Sequence, residues 1–189
     1  MKPDVHSHGH WRWRTALRLA LLLALCSPVG SPLWAQRRRD PLNQLEIDQL
    51  RDAMLYPEER LKLYVKFTRD RMTKLEKMRS DPKTKERARQ THDMLEDFLA
   101  VYDELNDNVD MYVGRKDDIR KPLKAIIEAD TEFQSKLRAL KNSANADAAE
   151  AKKYEFLLTD ALDTVDSSAD DHRKTAAEVD EYMKHKKKK

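Results

Sequence analysis

Two polar residues interrupt apolar stripes in the second half of the chain, and both are of types that can do acid–base chemistry. Asp130 lies within one helical stripe and His172 within another. A buried carboxylate–imidazole pair could bind a ligand or respond to pH, because histidine titrates near neutrality. The alternative is that each residue lies at the edge of its stripe and reaches water. We expect the second arrangement, and treat both residues as candidate buried polar groups.

Haem ligation is a further possibility for His172. Ile47, Leu50 and Met54 form the predicted apolar stripe of the first helical segment, at spacings of three and four, and His172 lies on the last segment. In architecture and ligand type this resembles small exported four-helix cytochromes of the b type, which bind haem non-covalently through a Met on the first helix and a His on the last. The resemblance implies a haem carrier, whereas Met is also a common core residue. We expect no cofactor and keep a small-ligand carrier as an alternative.

Other patterns that carry chemistry are missing. Carboxylate di-metal sites in helical bundles use Glu-x-x-His pairs, and no Glu stands three positions before His92, His172 or His185. The serines after residue 35 occupy helix ends or polar faces, in no nucleophile elbow. Three glycines in 189 residues exclude a glycine-rich phosphate loop. We therefore predict no metal site, no catalytic residue and no enzyme activity.

Two acidic strips lie on the later helices: Asp103, Asp107 and Asp110, then Asp160, Asp163 and Asp166. Neither strip has the spacing of an EF-hand loop. We interpret both as solvated acidic faces.

Composition and periodicity predict which elements must position these residues. Few glycines and 38% charged residues argue against a sheet, and apolar spacings of three and four run along the whole body, which is the period of a helix. The clearest pattern is a heptad a/d seam. Its members are Ala88, Thr91, Leu95, Phe98, Tyr102, Leu105, Val109 and Tyr112.

Local signals set the expected helix boundaries. Acid–proline pairs at Asp40–Pro41 and Asp81–Pro82 predict helix starts. Pro57 either ends or kinks the first helix or starts the next. Gly114 is expected to cap the heptad helix. A final helix is predicted from about residue 146 to 183.

These elements predict an all-α fold: an elongated antiparallel bundle of four to five helices over residues 41–184, with coiled-coil-like packing. The connections are short, so consecutive helices are expected to pack beside one another in opposite directions. Pro57 is expected to kink the first arm.

Residues 1–35 predict a secretory signal peptide, followed by a basic linker at 36–40. A basic stretch precedes the short apolar run at 19–26, helix breakers follow it, and Ala35 offers a cleavage site. An uncleaved membrane anchor is the alternative, because Arg37, Arg38 and Arg39 oppose translocation. Cleavage would remove Cys26, the one cysteine, and with it all thiol chemistry.

Charge is unevenly distributed along the predicted mature chain, which holds equal numbers of basic and acidic residues. Arg37–Arg39 are basic at one end, and a predicted disordered tail at 185–189 continues the basic cluster at the other. The body between is acidic, which argues against specific nucleic-acid binding. The candidate interaction residues of the basic end are Lys184, Lys186, Lys187, Lys188 and Lys189.

The functional prediction is a periplasmic or secreted, non-catalytic bundle that acts through protein contacts, as a scaffold or a holdase-like binder. Its partners are unknown proteins or further copies of the chain. The remaining alternative is a peripheral protein whose basic C-terminal tail binds an anionic surface.

Overall fold

The structure is a computed structural model that describes residues 40–144 and 147–186, and the statements below refer to these residues. They form six helices and no strand, as the all-α prediction requires. The helices are α1 (Gln44–Asp52), α2 (Pro57–Ser80), α3 (Arg87–Gly114), α4 (Arg120–Ala144), α5 (Ala148–Ala151) and α6 (Glu155–Lys186). The predicted signal peptide at 1–35 and the linker up to Arg39 lie outside the described residues.

The four long helices pack as a bundle of two antiparallel hairpins. α2 lies against α3 and α4 against α6. Within the first hairpin, Arg60 Nε near the start of α2 donates to Asn108 Oδ1 near the end of α3, over 3.0 Å. None of the six helices traced in this part of the chain is both long and apolar enough to cross a bilayer.

The two hairpins pack so that helices running in the same direction are neighbours. α2 runs parallel to α4, because Arg69 pairs with Glu132 at 2.8 Å and, further along both helices, Glu76 pairs with Lys136 at 2.8 Å. α3 lies beside α6, with a 3.0 Å hydrogen bond from Asn106 to Ser168.

Consecutive helices α3 and α4 are therefore diagonal in the bundle. They meet through side chains, such as the edge-to-face rings of Phe98 and Phe133, whose centroids are 5.3 Å apart. The expectation that every consecutive pair packs side by side is wrong here, because the loop at 115–119 crosses the end of the bundle.

The apolar stripes form the core, as periodicity predicts. All eight members of the heptad seam are buried, and the centre of the bundle is lined by rings and aliphatic side chains from α2, α3, α4 and α6. Such stripes can be buried only against one another, so each of the four helices turns its stripe towards the centre of the bundle. Met54 is the exception to its predicted stripe, since it is 55% exposed.

The first predicted arm is two helices rather than one kinked helix. Pro57 starts α2, where its missing N–H costs nothing. α1 begins later than Asp40–Pro41 predicts: Asn43 caps it in a reciprocal capping box with Glu46. Glu46 also forms a buried ion pair with Arg71, which holds α1 against α2.

Two other boundary predictions are wrong. Asp81–Pro82 lies in the loop after α2, and α3 starts at Arg87, after Glu86 in a left-handed conformation with φ of 50°. Gly114 is the last helical residue of α3 and has a negative φ, whereas Lys116 takes the left-handed position with φ of 62°. Hydrogen bonds from the N–H groups of Lys116 and Asp117 to Val113 and Tyr112 complete a Schellman motif.

The last predicted helix is interrupted. α5 ends at Ala151 and α6 begins at Glu155. α5 packs against α3 and α4, and its Glu150 pairs with Arg79 of α2 at 2.8 Å. α6 continues to Lys186, so the first two residues of the predicted disordered tail are helical.

Candidate functional site

A cluster of three polar side chains lies at the centre of the bundle and joins three helices. Asp130 on α4 accepts a 2.8 Å hydrogen bond from the hydroxyl of Tyr102 on α3. Its other carboxylate oxygen lies 2.9 Å from Nδ1 of His172 on α6. A carboxylate only accepts hydrogen bonds, so Nδ1 of His172 carries the hydrogen in this contact. Asp130 and Tyr102 are 0% exposed and His172 is 4% exposed.

The Tyr102 hydroxyl is held as a permanent donor. Burial, together with the adjacent negative charge of Asp130 and the hydrogen bond to it, keeps the pKa of Tyr102 well above its usual value of 10. Phe98 and Phe133 pack around this ring, with Phe133 edge-on to Tyr102 at 6.0 Å. The apolar surroundings strengthen the polar contacts they enclose.

The expectation that Asp130 and His172 reach water is wrong. Each lies within its apolar stripe and faces the other across the α4–α6 contact, so the two polar groups satisfy one another. Tyr102 was predicted only as a seam residue. Periodicity places its ring in the core, but the partner of its hydroxyl lies on a helix that is diagonal to its own.

The cluster has the groups of an acid–base site, and all three of its side chains are buried. Three surface grooves of about 230, 650 and 490 Å³ are lined by side chains other than Tyr102, Asp130 and His172. A general base must come within hydrogen-bond reach of its substrate, and none of these grooves reaches the cluster. The arrangement therefore ties α3, α4 and α6 together.

The two residues considered for haem ligation differ in burial: one is exposed and the other is in the core. Met54 lies in the exposed turn between α1 and α2, whereas His172 is in the core with Nδ1 committed to Asp130. The structure does not bring them together. Among residues 40–144 and 147–186, no group of three or more His, Asp or Glu side chains is arranged to bind a metal ion.

The predicted acidic strips lie on α3 and α6. Asp107, Asp110, Asp160 and Asp163 are exposed. Asp166 is half-exposed and accepts hydrogen bonds from two residues of α4, Gln134 at 2.8 Å and Arg138 at 2.9 Å.

The basic end is only partly described. Lys184 pairs with Asp180 at 2.6 Å and Lys186 is exposed at the end of α6, whereas Lys187, Lys188 and Lys189 lie outside the described residues. Binding of an anionic surface by this tail stays a prediction.

Three consecutive large side chains are exposed in the turn between α1 and α2, a feature that the periodicity argument missed. Met54, Leu55 and Tyr56 are 55%, 77% and 58% exposed. Pro57 directly follows them and the buried Ala53 precedes them, so the turn is held at both ends while these side chains point away from the core. The signal in the sequence was a run of three apolar residues directly before a proline.

Comparison of the chain with protein-family models, curated proteins and solved structures finds no match.

Proposed function

We propose that this protein is exported and works without catalysis, through contacts with other proteins, as a scaffold or a holdase-like binder. The exposed turn Met54–Tyr56 carries the proposal. A contiguous exposed apolar patch commonly marks an interaction site, and Met and Tyr are enriched at protein interfaces.

The core favours the scaffold form of the proposal. A holdase would present its apolar seams to client chains, and the seam residues Leu95, Phe98 and Leu105 are each 0% exposed. Client binding through the seams would need the hairpins to separate, which would break the contact of Tyr102 with Asp130. The turn is exposed without any such opening.

Site-specific photo-crosslinking in the native host tests the proposal. A photoreactive residue replaces Leu55, and the matched control replaces Leu45, a second leucine that is 66% exposed, in the first turn of α1. We expect discrete protein adducts from position 55 and few from position 45. Equal labelling at the two positions, or none at position 55, would contradict a specific contact at the turn.

Export has its own test. Mass spectrometry of the protein from its native host should show a chain that starts close to Gln36, because the leader is removed at Ala35. A chain that still begins at Met1 would instead support the anchored alternative.

A further inference from the structure

The charged residues of the four long helices are sorted by helix. α2 carries eight Lys and Arg against four Asp and Glu, and α4 carries six against three. α3 carries seven Asp and Glu against two Lys and Arg, and α6 carries nine against four. Two helices are therefore basic, with net charges of +4 and +3, and two are acidic, with −5 each.

The packing places helices of the same sign side by side. α2 lies beside α4 and α3 beside α6, so the bundle has a basic side (α2 and α4) and an acidic side (α3 and α6). The two sides carry +7 and −10. α1 packs on α2 with a net charge of −2, which leaves the basic side at +5.

Many of these charged side chains form no ion pair with another described residue. Exposed lysines of the basic side make no ion pair with any described residue: Lys77, Lys124 and Lys141. Lys74 is also exposed but interacts electrostatically with Glu46. Exposed carboxylates of the acidic side likewise make no ion pair with any described residue: Glu96, Glu104, Asp107, Asp110, Asp160 and Asp163. Both sides therefore present charge that another molecule can neutralise.

We propose that the basic side of one molecule binds the acidic side of a second copy of this chain. The chain itself supplies both complementary surfaces, and its helices of 24 to 32 residues give both sides similar lengths. At 1.5 Å per residue these helices extend ~36–48 Å, enough for several ion pairs along one contact. A single exposed pair contributes at most ~1 kcal/mol, so the association depends on several pairs together.

This contact joins two different surfaces, so it leaves a free basic side on one molecule and a free acidic side on the other. Such contacts continue to further copies unless the arrangement closes into a ring. The assembly should therefore grow beyond a dimer with concentration and dissociate in salt.

Sedimentation of the chain purified from its native host tests the proposal at ~0.01 M salt, where the Debye length is ~30 Å, and at ~1 M salt, where it is ~3 Å. One variant reverses the basic side, taking its net charge from +5 to −1 (Lys77→Glu, Lys124→Glu and Lys141→Glu). Another reverses the acidic side, taking its net charge from −10 to +2 (Glu96→Lys, Glu104→Lys, Asp107→Lys, Asp110→Lys, Asp160→Lys and Asp163→Lys). We expect the unmodified chain at least to double its average mass at low salt and to be monomeric at high salt.

The mixing experiment separates a specific contact from general aggregation. Each variant alone should stay monomeric at low salt, because both sides of the molecule then carry a net charge of the same sign. An equimolar mixture should associate again, because the intact acidic side of the first variant meets the intact basic side of the second. All the changed residues are exposed, and circular dichroism checks that each variant keeps its helices.

Several results would overturn the proposal. These are a monomeric unmodified chain at low salt, variants that associate alone, or a mixture that stays monomeric. Loss of association on deleting Lys184–Lys189 alone would assign the contact to the tail. A chain that stays monomeric but binds vesicles containing an anionic lipid would assign the basic side to a membrane. Photo-crosslinking at Leu55 is independent of all these outcomes, because it reports on a different surface.

Discussion

Asp130 and His172 face each other in the centre of the bundle, with a carboxylate oxygen of one 2.9 Å from Nδ1 of the other. Neither residue has a charged neighbour in its own stripe. Each is the hydrogen-bond partner of the other across the contact between α4 and α6. With Tyr102 they form a set of buried side-chain hydrogen bonds that joins α3, α4 and α6. A buried polar group without its partner is costly, so this arrangement specifies how the hairpins align.

Removing the Tyr102 hydroxyl should destabilise the bundle much more than removing the same group from Tyr112. Both residues are on α3 and 0% exposed, but within the described residues the Tyr112 hydroxyl has no hydrogen-bond partner. Tyr102→Phe should cost ~1.5–3 kcal/mol, the range for a hydrogen bond to a charged group, whereas Tyr112→Phe should change little. Urea unfolding measures both, and equal losses would show that the Asp130 contact contributes nothing.

Replacing a buried residue of the heptad seam with alanine should lower the free energy of unfolding substantially. Phe98 is 0% exposed between the rings of Tyr102 and Phe133. Phe98→Ala should lower the free energy of unfolding by ~3–5 kcal/mol. The matched control is Phe156→Ala, at a position that is 86% exposed, and should be close to neutral. A loss below ~1 kcal/mol at Phe98 would mean that the seam faces solvent.

Two substitutions at the end of α3 test where a glycine is needed. One introduces a glycine at position 116, and the other removes the glycine at position 114. Lys116→Gly should stabilise the protein by ~1 kcal/mol, because a residue with a Cβ is strained at φ of 62°. Lys116→Ala is its control, since it removes the Lys116 contact over the Tyr182 ring but keeps the strain.

Gly114→Ala should also stabilise, by ~0.5–1 kcal/mol, because Gly114 is helical. A Cβ there would meet nothing within 4 Å. Thermal melting compares all three variants. A destabilising Gly114→Ala would show that Gly114, and not Lys116, needs the left-handed conformation.

Acid should weaken the attachment of α1. Burial by itself raises the pKa of Glu46, but hydrogen bonds from Arg71 and from the Asn43 backbone outweigh it, so the pKa lies below its usual value of 4.5. The stabilisation is complete above the unfolded-state value and is lost as pH falls through the lower folded-state value.

Urea unfolding at neutral pH and at ~pH 3, below the usual pKa of a glutamate, tests this linkage. The unmodified chain should lose more stability between the two conditions than Glu46→Gln, which has no carboxylate to protonate. Identical losses in the two proteins would contradict a role for the Glu46–Arg71 pair.

Burial that follows from helical periodicity could be predicted from the sequence, whereas contacts between residues far apart in the chain could not. The heptad seam from Ala88 to Tyr112 is buried in full, because a helix with one apolar stripe has one face to bury. The contact of Asp130 with His172 joins residues 42 positions apart and depends on which helices are neighbours. A short loop permits both adjacent and diagonal placement of α3 and α4, so the sequence alone left the wrong choice open.

The same reason explains the two charged sides. The net charge of each helix can be read from the sequence, but their separation onto opposite sides follows only when α2 is beside α4. The Met54–Tyr56 turn was likewise obscured, because Met54 continues the spacing of Ile47 and Leu50 and was assigned to their stripe.

The arrangement of helices is the central claim, because both charged sides and the core cluster depend on it. Electron spin resonance distances between paired labels test it directly, in a background where Cys26, the one cysteine of the sequence, is replaced by serine. Labels at Lys66 on α2, Glu104 on α3 and Glu128 on α4 occupy exposed positions at one level of the bundle. The structure predicts that the distance from position 66 to position 128 is clearly shorter than that from 104 to 128, because α2 and α4 are neighbours and α3 and α4 are diagonal. The reverse order of the two distances would contradict the arrangement.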